Sequence, residues 1–102
     1  MAIIHTNDAM FKEVIASAPT VLVDFYADWC GPCKMLAPVL AQLASDRSDI
    51  AVVKVNVDEA PETAAAYGIM NIPTMILFRD GKPSGKLVGF ASREKIEKTF
   101  NL

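Results

Sequence analysis

Cysteine and histidine are scarce in this chain of 102 residues, with two of the first and one of the second. Two thiols and one imidazole fall short of a tetrahedral zinc site within one chain, and two cysteines are too few for a secreted scaffold stapled by disulfides. An excess of one charge is lacking as well. Ten Lys plus Arg against twelve Asp plus Glu leave a net charge of −2, so no basic field draws in phosphate backbones or anionic lipid. Neither nucleic acid nor a membrane is expected as a partner. No run approaches the about 18 consecutive apolar residues of a membrane span. The opening Met1-Ala2-Ile3-Ile4-His5 carries neither segment of a secretory leader, so the chain reads as soluble and cytoplasmic. With 5 Gly and 6 Pro it is not fibrous or of low complexity. What is present, 52% hydrophobic and 22% charged residues over a length suited to one core, predicts a single domain over residues 1–102.

The hydrophobic period switches repeatedly between strand and helix, which points to an α/β layer fold. Ala2 to His5 reads as a short edge strand. A cap at Thr6, Asn7 or Asp8 then precedes Phe11, Val14, Ile15 and Ala18 at helical spacing. Pro19 stops that helix, and Val21 to Ala27 follows as the nearly unbroken apolar run of a strand covered on both faces. Cys33 to Ala44 carries Leu36, Val39, Leu40 and Leu43 on one helical face, with a kink expected near Pro38. Ile50 to Val57 is a second two-sided strand, completing a right-handed strand-helix-strand unit. Pro61 to Tyr67 suits a short helix closed by Gly68 in the left-handed conformation. Met75 to Arg79 and Lys86 to Gly89 form a strand pair around Asp80-Gly81, with Pro83-Ser84-Gly85 suggesting a bulged or delayed pairing. Ser92 caps a last helix in which Ile96 and Phe100 face inward and Glu94 reaches Lys98.

The chemistry is concentrated at Trp29-Cys30-Gly31-Pro32-Cys33-Lys34, between the buried strand and its helix. Two intervening residues in a tight turn let the sulfurs reach bonding distance, and the helix N-terminus offers amide hydrogens and a partial positive charge to a thiolate. Cys30, outside the helix and the better exposed, is the expected nucleophile; Cys33, one step in, is the resolving thiol. Two other accounts of the pair are weaker. A purely structural disulfide across so short a loop stabilises by only about 2 kcal/mol, and zinc would require two chains to pool their thiols.

Asp24 is the second signal. An acidic residue among Val21, Leu22, Val23, Phe25 and Tyr26 must be desolvated, which raises its pKa and suits it to take the proton of Cys33 during resolution. An ion pair with Lys54 on the neighbouring strand is the structural account of the same residue, and the two accounts are compatible. His5 lies far from the motif in sequence and reads as a solvated side chain.

At Cys30 and its neighbours the chain resembles the thioredoxin family, whose Trp-Cys-Gly-Pro-Cys-Lys stands unsubstituted at residues 29 to 34. The resemblance extends through Val23 to Ala27, Gly68 to Thr74, and Gly89, and so covers essentially the whole chain. It implies a central mixed sheet flanked by helices, a cis bond before Pro73 facing the cysteines, and reduction of protein disulfides by dithiol-disulfide exchange. It further implies a thioredoxin reductase as electron donor, disulfide-containing proteins as targets, a monomer, and no organic cofactor or metal. Trp29, Gly31, Pro32, Met70, Ile72, Pro73 and Gly89 would form the apolar groove for an extended target chain. Tyr26 departs from the Trp of many bacterial relatives, and Met70-Asn71 from a pair often Arg-Gly. A thiol oxidase or isomerase is the nearest rival, disfavoured by Gly31-Pro32. A docking module with incidental thiols is the rival of another class, and it alone would keep its function when both cysteines become serine.

Overall fold

The computed structural model describes residues 3–102, so Ala2 of the expected first strand lies outside the described residues. Among the described residues the element order is β1 (Ile4–Thr6), α1 (Phe11–Ile15), β2 (Thr20–Tyr26), α2 (Gly31–Asp46), β3 (Ala51–Asn56), α3 (Pro61–Ala66), β4 (Thr74–Arg79), β5 (Lys82–Val88) and α4 (Arg93–Thr99). The sheet order is β1-β3-β2-β4-β5, parallel for β1, β3 and β2 and antiparallel for β4 and β5. The expected mixed sheet with helices on both faces is the observed fold. Among the described residues no helix is long and apolar enough to cross a membrane.

The period-2 alternation of the strands divides the core in two. Leu22, Val52, Met75 and Leu77 meet Leu36, Leu40 and Leu43 of α2 and Ile96 of α4 on one face. Val21, Val23, Phe25, Val53, Val55, Ile76 and Phe78 meet Phe11 and Ile15 of α1 on the other. β2 and β3 are apolar throughout because both of their faces are covered. Asp24, two residues beyond Leu22, and Lys54, two beyond Val52, therefore share the α2 face, and the strand register sets them side by side.

Local chemistry explains where the elements depart from the pattern. α1 ends at Ile15, short of Ala18, because a residue before proline disfavours the helical region and Ser17 turns its hydroxyl onto the Val14 carbonyl at 2.5 Å. α2 starts at Gly31 instead of Cys33, since Cys30 takes the cap position and Pro32 in the first turn forfeits no helical hydrogen bond. The same helix runs unbroken through Pro38, which lies on its exposed side, where solvent can take up the freed carbonyl.

β5 starts at Lys82, not Lys86. Asp80 (φ 53) and Gly81 (φ 79) both take positive φ, forming the tight hairpin turn whose twist lets pairing resume at once. The expected bulge is present where the β4–β5 register shifts between Leu77 and Phe78, but the delay is not. Gly68 takes φ 63 after α3, as expected. Ser92 Oγ accepts from the Lys95 amide at 3.2 Å, while the side-chain pair along α4 is Arg93 with Glu97.

Candidate active site

The loop between β2 and α2 delivers both cysteines to one end of the sheet, where Cys30 and Cys33 are joined as a disulfide with Cα atoms 5.2 Å apart. Cys30 caps α2 through its sulfur, which accepts from the Cys33 amide at 3.2 Å. A backbone N–H aimed at this sulfur, at the positive end of a 16-residue helix, stabilises negative charge there once the bond is reduced. The pair is well covered in this state, Cys30 5% and Cys33 2% exposed, so the expected advantage of Cys30 in access is small.

The segment before β4 closes the other side. The Ile72-Pro73 bond is cis, the Cys30 sulfur lies 3.8 Å from the Ile72 carbonyl oxygen, and the Gly89 amide donates to the Pro73 carbonyl at 2.7 Å. Ile72, Pro73 and Gly89 are thereby drawn together beside Cys30. Pro73 is buried, Ile72 and Gly89 are half-buried, and Gly31 and Pro32 are exposed on the first turn of α2. Trp29 is 70% exposed and Met70 90%, so neither belongs to the core. Met35, Val88 and Phe90 are also exposed, and sequence reasoning did not single them out as surface. It also missed Asp58, just beyond β3, whose carboxylate accepts from the Trp29 indole N–H at 2.9 Å and ties that ring down. The only hint was an acidic residue directly after a buried strand.

Asp24 is fully buried, and neither of its oxygens has a hydrogen-bond partner among the described residues. Burial outweighs the nearby Lys54 ammonium, 3.5 Å from Oδ2, and the carboxyl is pushed up to about 6 although that charge favours its ionised form. Lys54 also sits over the Tyr26 ring, 4.4 Å from its centroid. A pocket of about 210 Å³ opens beside this group, lined by Tyr26, Ala27, Asp28, Cys33, Lys34, Ala37 and Lys54. Cys33 and the partner of Asp24 therefore face one space. His5 stands at the position of β1 that pairs with Lys54 and is solvent-exposed.

Comparison with known proteins follows the same line. The thioredoxin family model matches residues 2–101. A thioredoxin of Alicyclobacillus acidocaldarius is 50% identical over 92 residues, 89% of this chain and 88% of that one. A thioredoxin of Staphylococcus aureus is 49% identical over 102 residues, 99% of this chain and 97% of that one. Among solved structures, a mutant thioredoxin from Halobacterium salinarum superposes with a TM-score of 0.87 at 37% identity, covering 100% of this chain and 97% of that one. Mitochondrial thioredoxin 3 of Saccharomyces cerevisiae, in oxidized form, gives 0.87 at 37% identity over 97% of this chain and 93% of its own.

Proposed function

The chain belongs to the thioredoxin family, a protein-disulfide reductase by dithiol-disulfide exchange, and from that premise we propose how its residues divide the reaction. The observation that carries the reading is a disulfide-bonded cysteine pair at a helix N-terminus, with Ile72 packed against it and the adjoining Trp29 exposed. In the reduced protein the Cys30 thiolate attacks one sulfur of a target disulfide; that S–S bond breaks, and the departing thiolate takes a proton. Cys33 gives its proton to the Asp24 carboxylate across the pocket that Cys33 and Lys54 line, then attacks the Cys30 sulfur. The second target thiol leaves, and the protein ends as the Cys30–Cys33 disulfide. Two electrons from a reductase restore the dithiol. Lys54 holds Asp24 in its ionised form often enough to accept the proton.

The family acts on disulfide-containing targets with a reductase partner. For this chain the reading is a cytoplasmic monomer of one domain, 1–102, drawing electrons from a thioredoxin reductase, with no organic cofactor or metal. Reduction of the interchain disulfides of insulin by a thiol donor, with and without the protein, tests the activity. A double variant, Cys30→Ser with Cys33→Ser, must lose it; retention would favour the docking-module account.

Trp29, Gly31, Pro32, Met70, Ile72, Pro73 and Gly89 are read as the groove for an extended target segment, supported by the exposure of Trp29 and Met70 beside the disulfide. Ile72→Lys places a charge where an apolar target side chain docks. Its kcat/KM for a protein disulfide is expected to fall by about tenfold or more while a small symmetrical disulfide is reduced nearly as before. Equal losses on both substrates would contradict the groove.

Pro32 supplies neither an amide hydrogen nor a charge near Cys30, so thiolate stabilisation comes mainly from the helix terminus and the Cys33 amide. Pro32→His adds a donor that becomes cationic, which favours the thiolate and hence the reduced form. Its reduction potential is expected to rise, with about 30 mV for each 1.4 kcal/mol gained. Equilibration against glutathione buffers measures it. An unchanged potential would show that Gly31-Pro32 does not set the reducing direction.

A further inference from the structure

Lysine carries a flexible four-carbon stem and a compact, strongly hydrated charge, so an ammonium at the edge of an open pocket stays beside a buried carboxylate only if something else holds it. Here the second contact is an aromatic face. The Lys54 nitrogen is 3.5 Å from Asp24 Oδ2 and 4.4 Å from the centre of the Tyr26 ring, and Tyr26, Lys54 and Cys33 line the same pocket. Asp24 and Tyr26 are two residues apart on β2, so they share a face and grip the lysine of β3 from adjacent positions.

We propose that Tyr26 is a positioning residue: its ring holds the Lys54 ammonium against Asp24 and so sets how fully the carboxylate feels that charge. The proposal rests on the reading of Asp24 as the proton acceptor for Cys33. Ring quadrupole and carboxylate attract the ammonium together, and the ring replaces part of the water it gives up. Without the ring the ammonium swings into the pocket and is hydrated there, its attraction for the carboxylate weakens, and Asp24 holds its proton to higher pH.

The other groups around Lys54 are His5 at the matching position of β1 and Lys34 of α2 across the pocket. Asp28 and Glu59 act on Tyr26 itself. Burial first, then these two carboxylates, raise its hydroxyl above the ordinary tyrosine value, so the phenol stays neutral while Asp24 titrates. The ring face, and not the hydroxyl, is the working part.

The test follows the Asp24 carboxyl resonance by NMR against pH in the disulfide form of the full chain. Tyr26→Leu is expected to move its midpoint upward by about half a unit, whereas Tyr26→Phe and Tyr26→Trp, which keep a ring, hold it near the original value. In a Lys54→Met background Tyr26→Leu should produce no further rise. A shift of equal size in that background, or in Tyr26→Phe, would overturn the proposal, because the ring would then act by burial or the hydroxyl by hydrogen bonding. The unmutated protein supplies a check that needs no variant to fold. The Lys54 Cε protons should be displaced upfield by the ring current, and their absence from that range would equally overturn it. The Asp24 reading is scored separately, by the pH profile of mixed-disulfide resolution in Asp24→Asn: an unaltered profile sinks that reading while leaving the Tyr26 cycle to stand or fall alone.

Discussion

Cys30→Ser is expected to abolish turnover of protein disulfides, by about 10³-fold or more, because one thiol cannot complete the two-step exchange and the remaining Cys33, 2% exposed, lacks the helix-cap position that favours a thiolate. A serine hydroxyl in the same cap position still accepts from the Cys33 amide, so the helix start survives and the loss is chemical. Cys33→Ser loses steady-state turnover as well, but for a different reason: the first attack proceeds and the intermediate then waits for an external thiol. The two variants therefore differ in a single-turnover experiment under excess disulfide substrate. Cys33→Ser releases one target thiol per molecule in a rapid phase, and Cys30→Ser releases none. A rapid phase of the same size in both would contradict the division of labour. Comparison of their thermal unfolding with the reduced parent guards against misreading a folding defect as a chemical one.

Asp24→Asn is expected to make the protein more stable in neutral and alkaline solution, by an amount that vanishes in acid. The carboxyl titrates at 3.8 when exposed and is pushed up to about 6 by burial, so the folded state binds its proton more tightly than the unfolded state. A raised folded value contributes stability that is fully present below 3.8 and is lost as pH climbs through about 6. At pH 8 the native protein carries an ionised group that has no hydrogen-bond partner among the described residues, at a cost of about 3 kcal/mol on the linkage relation. Asparagine has nearly the same shape and never ionises. The difference in denaturation free energy between variant and parent should be close to zero near pH 3.5 and reach its full size by about pH 7.5. Chemical denaturation across that range measures it, and a variant less stable than its parent at pH 8 would contradict the desolvated carboxylate. The same substitution removes the acceptor for the Cys33 proton, so resolution should slow while the first attack by Cys30 is little changed. A retained carboxylate that weakens the fold at working pH is what a chemical role would leave behind.

Much of this site could be read from the chain because its parts lie close in sequence or repeat a strong pattern. Val21 to Phe25 and Ala51 to Val55 are apolar on both faces, and that alone brings Asp24 into the interior next to Lys54, as the register bears out. The cysteine pair needed only its spacing and its place between strand and helix. The start of α2, expected at Cys33, lies two residues earlier at Gly31, since Gly31 and Pro32 look like turn formers until the proline is recognised as a first-turn residue. What stayed hidden depends on contacts across long separations. The bond from Trp29 to Asp58 spans 29 residues, and the Asp8 carboxylate, expected only near α1, instead accepts from the Thr63 amide at 2.8 Å and its hydroxyl at 2.6 Å. The exposure of Val88 and Phe90 was not legible in the chain, because exposure of an apolar side chain leaves no local mark. Lys82 to Gly85 looked like loop because proline and glycine usually interrupt strands, yet on an edge strand the missing amide costs no ladder bond.

The central claim, that Cys30 attacks the target and Cys33 releases it, is tested most directly by weighing the covalent intermediate. Reduced Cys33→Ser and Cys30→Ser are each mixed with a protein carrying one accessible disulfide, quenched with acid, and analysed by mass spectrometry without reductant. The account predicts a one-to-one adduct with Cys33→Ser, linked through Cys30 in the peptide map and dispersed by added thiol, and almost none with Cys30→Ser. Comparable adducts with both variants under native conditions, or an adduct formed through Cys33 in the Cys30→Ser protein alone, would contradict it.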